Sequence, residues 1–296
     1  MCDNNSCVGC KNPYTYEDVE KIANFLRSKV DIKPRIGLVC GTGLGGIPAL
    51  MTDTVTFPYG EIPNFPVSTV AGHDGKLIIG YLSGTPIVCM QGRFHFFEGY
   101  PLWKVVLPIR VMKILGISIL VLSNAAGGIN SSYSIGDIMF LKDHINFVAL
   151  GGHNPLQGDN EEKFGPRFVA INDSYDREIL KLAKNTAKEL GIKGVQEGVY
   201  CCIGGPSFET VAELRAMKML GGDAVGMSTV HEVITAMHCG IKCFAFSLIT
   251  NKCPMEYDGK NTPNHEEILD VGKERQDDVR KFVERLFKNL AQFKVK

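Results

Sequence analysis

The sequence predicts a single α/β domain, a mixed central β-sheet flanked by helices. Three observations carry that reading. Strand-like apolar runs alternate with helix-like amphipathic ones, which argues for layered α/β packing. Two strand-like runs meet at Ser83-Gly84, a two-residue hairpin turn, so the sheet contains an antiparallel pair. No repeat, low-complexity tract or Pro/Ser-rich linker divides the 296 residues. The domain is expected to span residues 14–296, after a polar tail, 1–13, expected to be disordered.

The elements follow in order. A helix over 15–30 opens Thr-Tyr-Glu-Asp, a capping hydroxyl with an acid three residues on, and carries Val19, Ile22, Ala23 and Leu26 at helical spacing. Strands are expected at 35–40, 76–82 and 86–90. A helix over 102–115 leads into a strand over 117–123, and two short strands lie at 137–141 and 145–149. A helix over 173–190 stops at Gly191, a natural left-handed cap. Next come a strand (194–202), a helix (208–220) closed by Gly221-Gly222, and a strand (223–226). A helix over 229–239 has Thr229 and Glu232 at capping-box spacing and ends at Gly240, before a strand over 242–249. One long helix, from about 264 to 291, ends the chain. The polar segments 151–168 and 251–264, rich in Gly, Asn and Pro, read as functional loops or lids.

Composition narrows the function classes. Lys plus Arg equals Asp plus Glu, 32 against 32, with no basic block, so nothing electrostatic favours nucleic acid or an anionic membrane as a partner. The most apolar stretch, 105–122, is interrupted by Arg110 and Lys113, which makes it a poor membrane span. The polar start is no secretory signal, and a cytoplasmic location is expected. Of ten cysteines, Cys40, Cys89, Cys239 and Cys243 sit in apolar contexts and read as small buried hydrophobes. Cys2, Cys7 and Cys10 cluster in the tail without a fourth ligand at metal-site spacing, so no metal is expected.

Residues 36–47, IGLVCGTGLGGI, place Gly41, Gly43 and Gly46 in a G-x-G-x-x-G pattern after a strand-like run. That pattern suits a dinucleotide's pyrophosphate or another anion. A dinucleotide fold also wants an acid at the next strand end about 20 residues on. Glu61 has the distance but lies in Glu-Ile-Pro-Asn, which does not resemble a strand end. Two further strand-like runs end in small or hydroxyl residues, at Ser123–Gly128 and Val225–Thr229. Such turns let backbone N–H groups approach an anion, with Thr42 and Ser228 as hydroxyl donors. Arg93 and His95 fall on one face of an extended segment, a planar fork and a second donor for phosphate oxygens, and His73 is a third candidate.

With these residues in view, the chain resembles the trimeric, low-molecular-mass purine nucleoside phosphorylases. GTGLGG, EIPNFP, AGHDGKL, QGRFHFFEGYPLWKV, NAAGGIN, GDIM, DHIN, GPSFETVAE, DAVGMST, FSLITNK and NHEE look like that family's blocks in its order, from about Tyr14 to the final helix. The resemblance implies a nucleoside phosphorylase-like fold. It also implies cleavage of purine (deoxy)ribonucleosides such as inosine and guanosine by inorganic phosphate, to free base and (deoxy)ribose 1-phosphate. Phosphate is a co-substrate, and no metal or organic cofactor is used. By matching positions, Thr42, His73, Arg93, His95, Ser228 and the backbone of Ala125 would hold phosphate. Met227 and His265 would contact the ribose. Glu209 and Asn251 would read the purine, Phe208 would pack on its face, and Phe97, Tyr200 and Val225 would line the pocket. Phe168 would reach a neighbouring subunit's site in a homotrimer. Asn251, Glu209, His95 and His265 are the implied catalytic group.

These residue types suit the chemistry. Positive charge develops on the sugar and negative charge on the leaving base; a phosphate dianion steadies the first and an Asn251 donor the second. A Glu209 carboxylate accepts from N1–H of a 6-oxopurine and repels the bare N1 of adenine. Without the resemblance, Glu209 reads as a first-turn acid after a Ser207 cap, Asn251 as a strand-end turn residue, and Met227 and Phe208 as core. Four departures stand out: Phe97 where many members have Tyr, Thr42 for Ser, His231 for Pro, and Cys253-Pro254 where the family is apolar. His231 reads as a solvated group near the site entrance. Methylthioadenosine phosphorylase is the nearest alternative; the resemblance implies an acid there in place of Asn251 and a hydrophobic 5′ pocket in place of His265. A dinucleotide oxidoreductase and a non-catalytic nucleoside-binding paralogue are the others.

Overall fold

A computed structural model describes residues 14–41, 45–68, 75–257 and 265–294, without the side chains of 265–269. In chain order the elements are α1 (Tyr16–Arg27), β1 (Ile36–Cys40), β2 (Thr52–Pro58), β3 (Lys76–Leu82), β4 (Thr85–Gln91), α2 (Leu102–Val105), α3 (Leu107–Leu115), β5 (Ile119–Gly128), β6 (Ile138–Asn146), α4 (Phe147–Leu150), α5 (Arg177–Glu189), β7 (Val195–Cys202), α6 (Val211–Met219), β8 (Ala224–Gly226), α7 (Val230–His238), β9 (Lys242–Lys252), α8 (His265–Glu274) and α9 (Gln276–Leu290).

The nine strands form one mixed sheet in the order β2-β3-β4-β1-β5-β8-β7-β6-β9, and β9 also pairs with β5. That second pairing closes β5, β8, β7, β6 and β9 into a ring, while β1 to β4 extend from it as an open wing. β1, β4, β5 and β9 are mutually parallel neighbours, so their carboxyl ends share one edge. Side chains alternate across the shared strands. Val39, Leu120 and Leu122 face one core with Val19, Ile22 and Leu26 of α1, Met112 of α3 and Val233 of α7. Ile36, Leu38, Ile119 and Val121 face the other, under α5 and α9, where Phe140 stacks on Phe282 at 5.3 Å. β1 and β5 are apolar on both faces because both faces are covered.

Local signals hold at several places. Thr15 and Asp18 form the reciprocal capping box at α1, Ser83 and Gly84 take positive φ in the β3–β4 turn, and Gly191 is left-handed after α5. Cys40, Cys89, Cys239 and Cys243 are buried free thiols. The tail, with Cys2, Cys7 and Cys10, lies outside the described residues.

Elsewhere tertiary contacts move the boundaries. The 102–115 helix breaks at Val106, just ahead of Pro108, which has no N–H to continue the first turn's ladder. The two strands at 137–149 are one strand, followed by the short α4 with Asn146 as its cap. The final helix divides at Arg275. β2, unpredicted, is mostly exposed and so carries little apolar periodicity. The largest change is at Ser123–Gly128, which is strand rather than turn, because β9 runs to Lys252 and pairs with it throughout.

Of the opening glycines, Gly41 and Gly46 are described and Gly43 lies outside the described residues. A Cβ on Gly41 would lie 2.5 Å from the Ser123 carbonyl oxygen, so the close approach of β1's end to β5 requires glycine. After Gly46 comes a 3-10 turn (Ile47–Leu50) and then β2, antiparallel to β3. The helix and parallel crossover of a dinucleotide fold do not follow the motif.

Candidate active site

A cavity of about 360 Å³ opens at the shared strand edge. Among the residues expected at phosphate, Arg93, His95, Ala125 and Ser228 border it; Thr42 and His73 lie outside the described residues. Among those expected at the nucleoside, Phe97, Phe208, Glu209, Val225, Met227 and Asn251 border it. His265 opens α8, its side chain outside the described set. Tyr200 is a correction: it is fully buried behind the wall, with its hydroxyl accepting from the Ser228 N–H at 3.4 Å. A Cβ on Gly226 would meet that hydroxyl at 2.3 Å, so Gly226 lines the cavity in its place. Phe168 does not border this chain's cavity and is 89% exposed.

The anion end is built around Arg93, which is 1% exposed. Its Nε donates to Glu232 Oε1 at 3.3 Å and its Nη2 pairs with Oε2 at 3.1 Å. Nη1 donates to the Ser123 carbonyl at 2.6 Å and to Ser228 Oγ at 3.3 Å. A buried guanidinium needs such compensation, and the fork geometry supplies it in one plane. Sequence reading had placed Glu232 in a capping box with Thr229. The box does not form: Glu232 turns to Arg93, and Thr229 caps nothing. Instead Thr229 Oγ1 accepts from Asn124 Nδ2 at 2.9 Å and lies 3.2 Å from Ser228 Oγ. Thr229 has φ +72°, a costly backbone for a β-branched residue, held by the surrounding bonds.

His95 is oriented by Glu98, which the sequence reading passed over. Glu98 Oε1 accepts the His95 backbone N–H at 2.7 Å and lies 3.2 Å from ring Nδ1. Phe97 stacks on the same ring at 4.7 Å. The i, i+3 spacing of His95 and Glu98 was the available signal.

At the other end, Glu209 stands one residue before the true cap of α6. Thr210 and Glu213 make the capping box there, so Glu209 is not a first-turn acid and its side chain borders the cavity. Burial raises the Glu209 carboxyl above its ordinary value, and repulsion from Glu213 adds to it. Asn251 Oδ1 accepts from Thr250 Oγ1 at 3.2 Å, which leaves Nδ2 as the amide's donor. That Nδ2 is 3.2 Å from where a Cβ on Gly127 would stand, so Gly127 keeps the space in front of it open.

His231 is not solvated. It is buried in the first turn of α7, with Nε2 4.0 Å from the Cys202 thiol. Burial, then the charge of His144, lowers its pKa from 6.5 to about 4. The unfolded chain therefore binds the proton first as pH falls. Stability is unaffected above about pH 6.5 and declines toward pH 4. His231→Leu is expected to recover on the order of 3 kcal/mol of that decline. Urea unfolding across this window checks it; a pH profile parallel to wild type would refute the assignment.

A pocket at the carboxyl ends of parallel strands, cationic at one end and with a carboxylate and an amide at the other, defines an α/β enzyme of small-molecule group transfer. Residues 35–288 match the phosphorylase superfamily. Purine nucleoside phosphorylase of Bos taurus is 51% identical over 94% of this chain and 97% of its own. The Schistosoma mansoni purine nucleoside phosphorylase in complex with adenosine superposes with a TM-score of 0.90 at 47% identity, covering 94% of this chain and 99% of that one. Isoform 2 of that enzyme, in complex with cytosine and ribose-1-phosphate, gives 0.90 at 43% identity, covering 93% and 97%. The chain belongs to the purine nucleoside phosphorylase family of this superfamily. No helix among the described residues is long and apolar enough to cross a membrane.

Proposed function

We propose that this pocket holds a purine nucleoside over inorganic phosphate and cleaves it by phosphorolysis, in purine salvage. The observation that carries the reading is the opposition of two ends: the buried Arg93 with Ser228, and the Glu209 carboxylate with the Asn251 amide. A phosphate oxygen forms a bond to C1′ as the C1′–N9 bond breaks. The electron pair of that bond leaves with the base, which takes up a proton. Nothing is oxidised or reduced, so the reaction calls for no redox cofactor.

Phosphate, with Thr42 and His73 completing its shell, steadies the positive charge on the sugar. The Asn251 Nδ2 donor meets the charge growing on the purine, while His265 and Met227 hold the ribose and Phe208 covers the base. Glu209 favours 6-oxopurines through N1–H. The working assembly is a homotrimer in which the exposed Phe168 closes a neighbour's site, and the setting is the cytoplasm.

The test is base release from inosine, guanosine, adenosine, methylthioadenosine and cytidine, with and without phosphate. The last substrate is included because the Schistosoma isoform 2 was solved with cytosine. Phosphate-dependent release from inosine and guanosine is expected. Release that does not need phosphate would overturn phosphorolysis, and an adenosine rate equal to inosine would overturn the Glu209 reading.

A further inference from the structure

One side chain outside the pocket joins the helix that follows Glu209 to the segment that follows Asn251. Arg215 lies on α6, whose capping residue Thr210 directly follows Glu209. Its Nε donates to the Met255 carbonyl at 2.8 Å, and its Nη2 pairs with Glu256 Oε2 at 2.8 Å. Its guanidinium carbon lies 4.9 Å from the centroid of the Tyr257 ring. Three consecutive residues are thus held by one fork: a carbonyl, a carboxylate and an aromatic face. Beneath the clamp, Met255 packs against the small apolar cluster that includes Leu214 and Met217 of α6 and Cys253. The near end of the same segment is tied to β5, where the Cys253 N–H donates to the Gly128 carbonyl at 3.0 Å. Asn251 stands two residues before that tie.

We infer that Arg215 is a positioning residue for base recognition. It locks 253–257 onto α6 and so sets the separation between the Glu209 carboxylate and the Asn251 amide. The inference rests on the purine reading of the pocket. A partly exposed ion pair contributes little by itself; here the bond to a backbone carbonyl fixes the plane of the fork, and the pair with Glu256 and the Tyr257 face fix its rotation. Small misplacements of groups that read a substrate cost much more in rate than in stability.

Steady-state kinetics and hypoxanthine calorimetry on Arg215→Ala, Arg215→Lys and Glu256→Gln test it. Arg215→Ala is expected to raise KM for inosine and Kd for hypoxanthine about ten-fold, with KM for phosphate within about two-fold of wild type. The inosine-to-adenosine preference should fall. Arg215→Lys should not rescue, because an ammonium lacks the fork, and Glu256→Gln should shift the same constants about three-fold. An unchanged inosine KM overturns the inference, and so does a parallel rise in phosphate KM, which would mark general loosening. Amide hydrogen exchange gives a readout without catalysis: the Cys253 amide, bonded to the Gly128 carbonyl, should exchange about ten-fold faster in Arg215→Ala while α5 is unchanged. If wild type releases no base with phosphate, the purine reading fails on its own, and unchanged exchange at the Cys253 amide would still sink the clamp.

Discussion

Arg93→Ala is expected to abolish phosphorolysis and to destabilise the fold by about 3–5 kcal/mol, because it leaves the Glu232 carboxylate buried without its cation. Both members of the pair are almost fully buried, so the carboxylate has little access to bulk water when its partner is lost. Glu232→Ala should be comparably destabilising for the opposite charge. The double substitution Arg93→Met with Glu232→Met separates the two roles. Replacing a buried pair with apolar side chains of similar volume is often neutral in stability. The double variant should therefore be more stable than either single one and still inactive, since no guanidinium remains beside Ser228. Urea unfolding and a phosphate-dependent base-release assay measure both. An Arg93→Ala chain within about 1 kcal/mol of wild type would show that Glu232 is not held by this pair.

The second large effect is at Asn251. Asn251→Ala should lower kcat by about 10²–10³, the usual loss when one preorganised donor to developing charge is removed. Asn251→Asp should shift preference from inosine toward adenosine, because the new oxygens accept from a 6-amino group and repel a 6-oxo group. Thr250 is oriented to donate to the oxygen of this side chain, so the substitution keeps its local bond. Rates for the two nucleosides on one preparation give the ratio; an unchanged ratio would remove Asn251 from base discrimination.

The contrast between two capping boxes explains what could be read early and what could not. Thr15 with Asp18 and Thr229 with Glu232 show the same spacing, and only the first forms. A capping box is a local competition, and at α1 Asp18 bonds Thr15 and Lys21, with no stronger partner among the described residues. At α7 a buried guanidinium from 139 residues away outbids the backbone for Glu232. Glu209 illustrates the reverse error. Ser207 and Thr210 are both acceptable caps by type, and the reciprocal bond to Glu213 selects Thr210, which leaves Glu209 for the pocket. Tyr200, placed at the pocket by family resemblance, sits behind it because Gly226 stands between its hydroxyl and the cavity.

By itself, the sequence determined the α/β class and most of the helices and strands, which are properties of residue type and spacing that local physics reads, whereas Glu209 and Asn251 stood out only through resemblance to the family. Only the tertiary structure decided that β9 pairs along β5 to Gly128, closing five strands into a ring and converting an expected turn into cavity wall. It also decided that Glu232 and Glu98 hold Arg93 and His95, and that Arg215 holds the segment beyond Asn251. Each of these is a choice among partners of similar type, and apart from the adjacent His95–Glu98 pair, burial and long-range pairing settle which one wins.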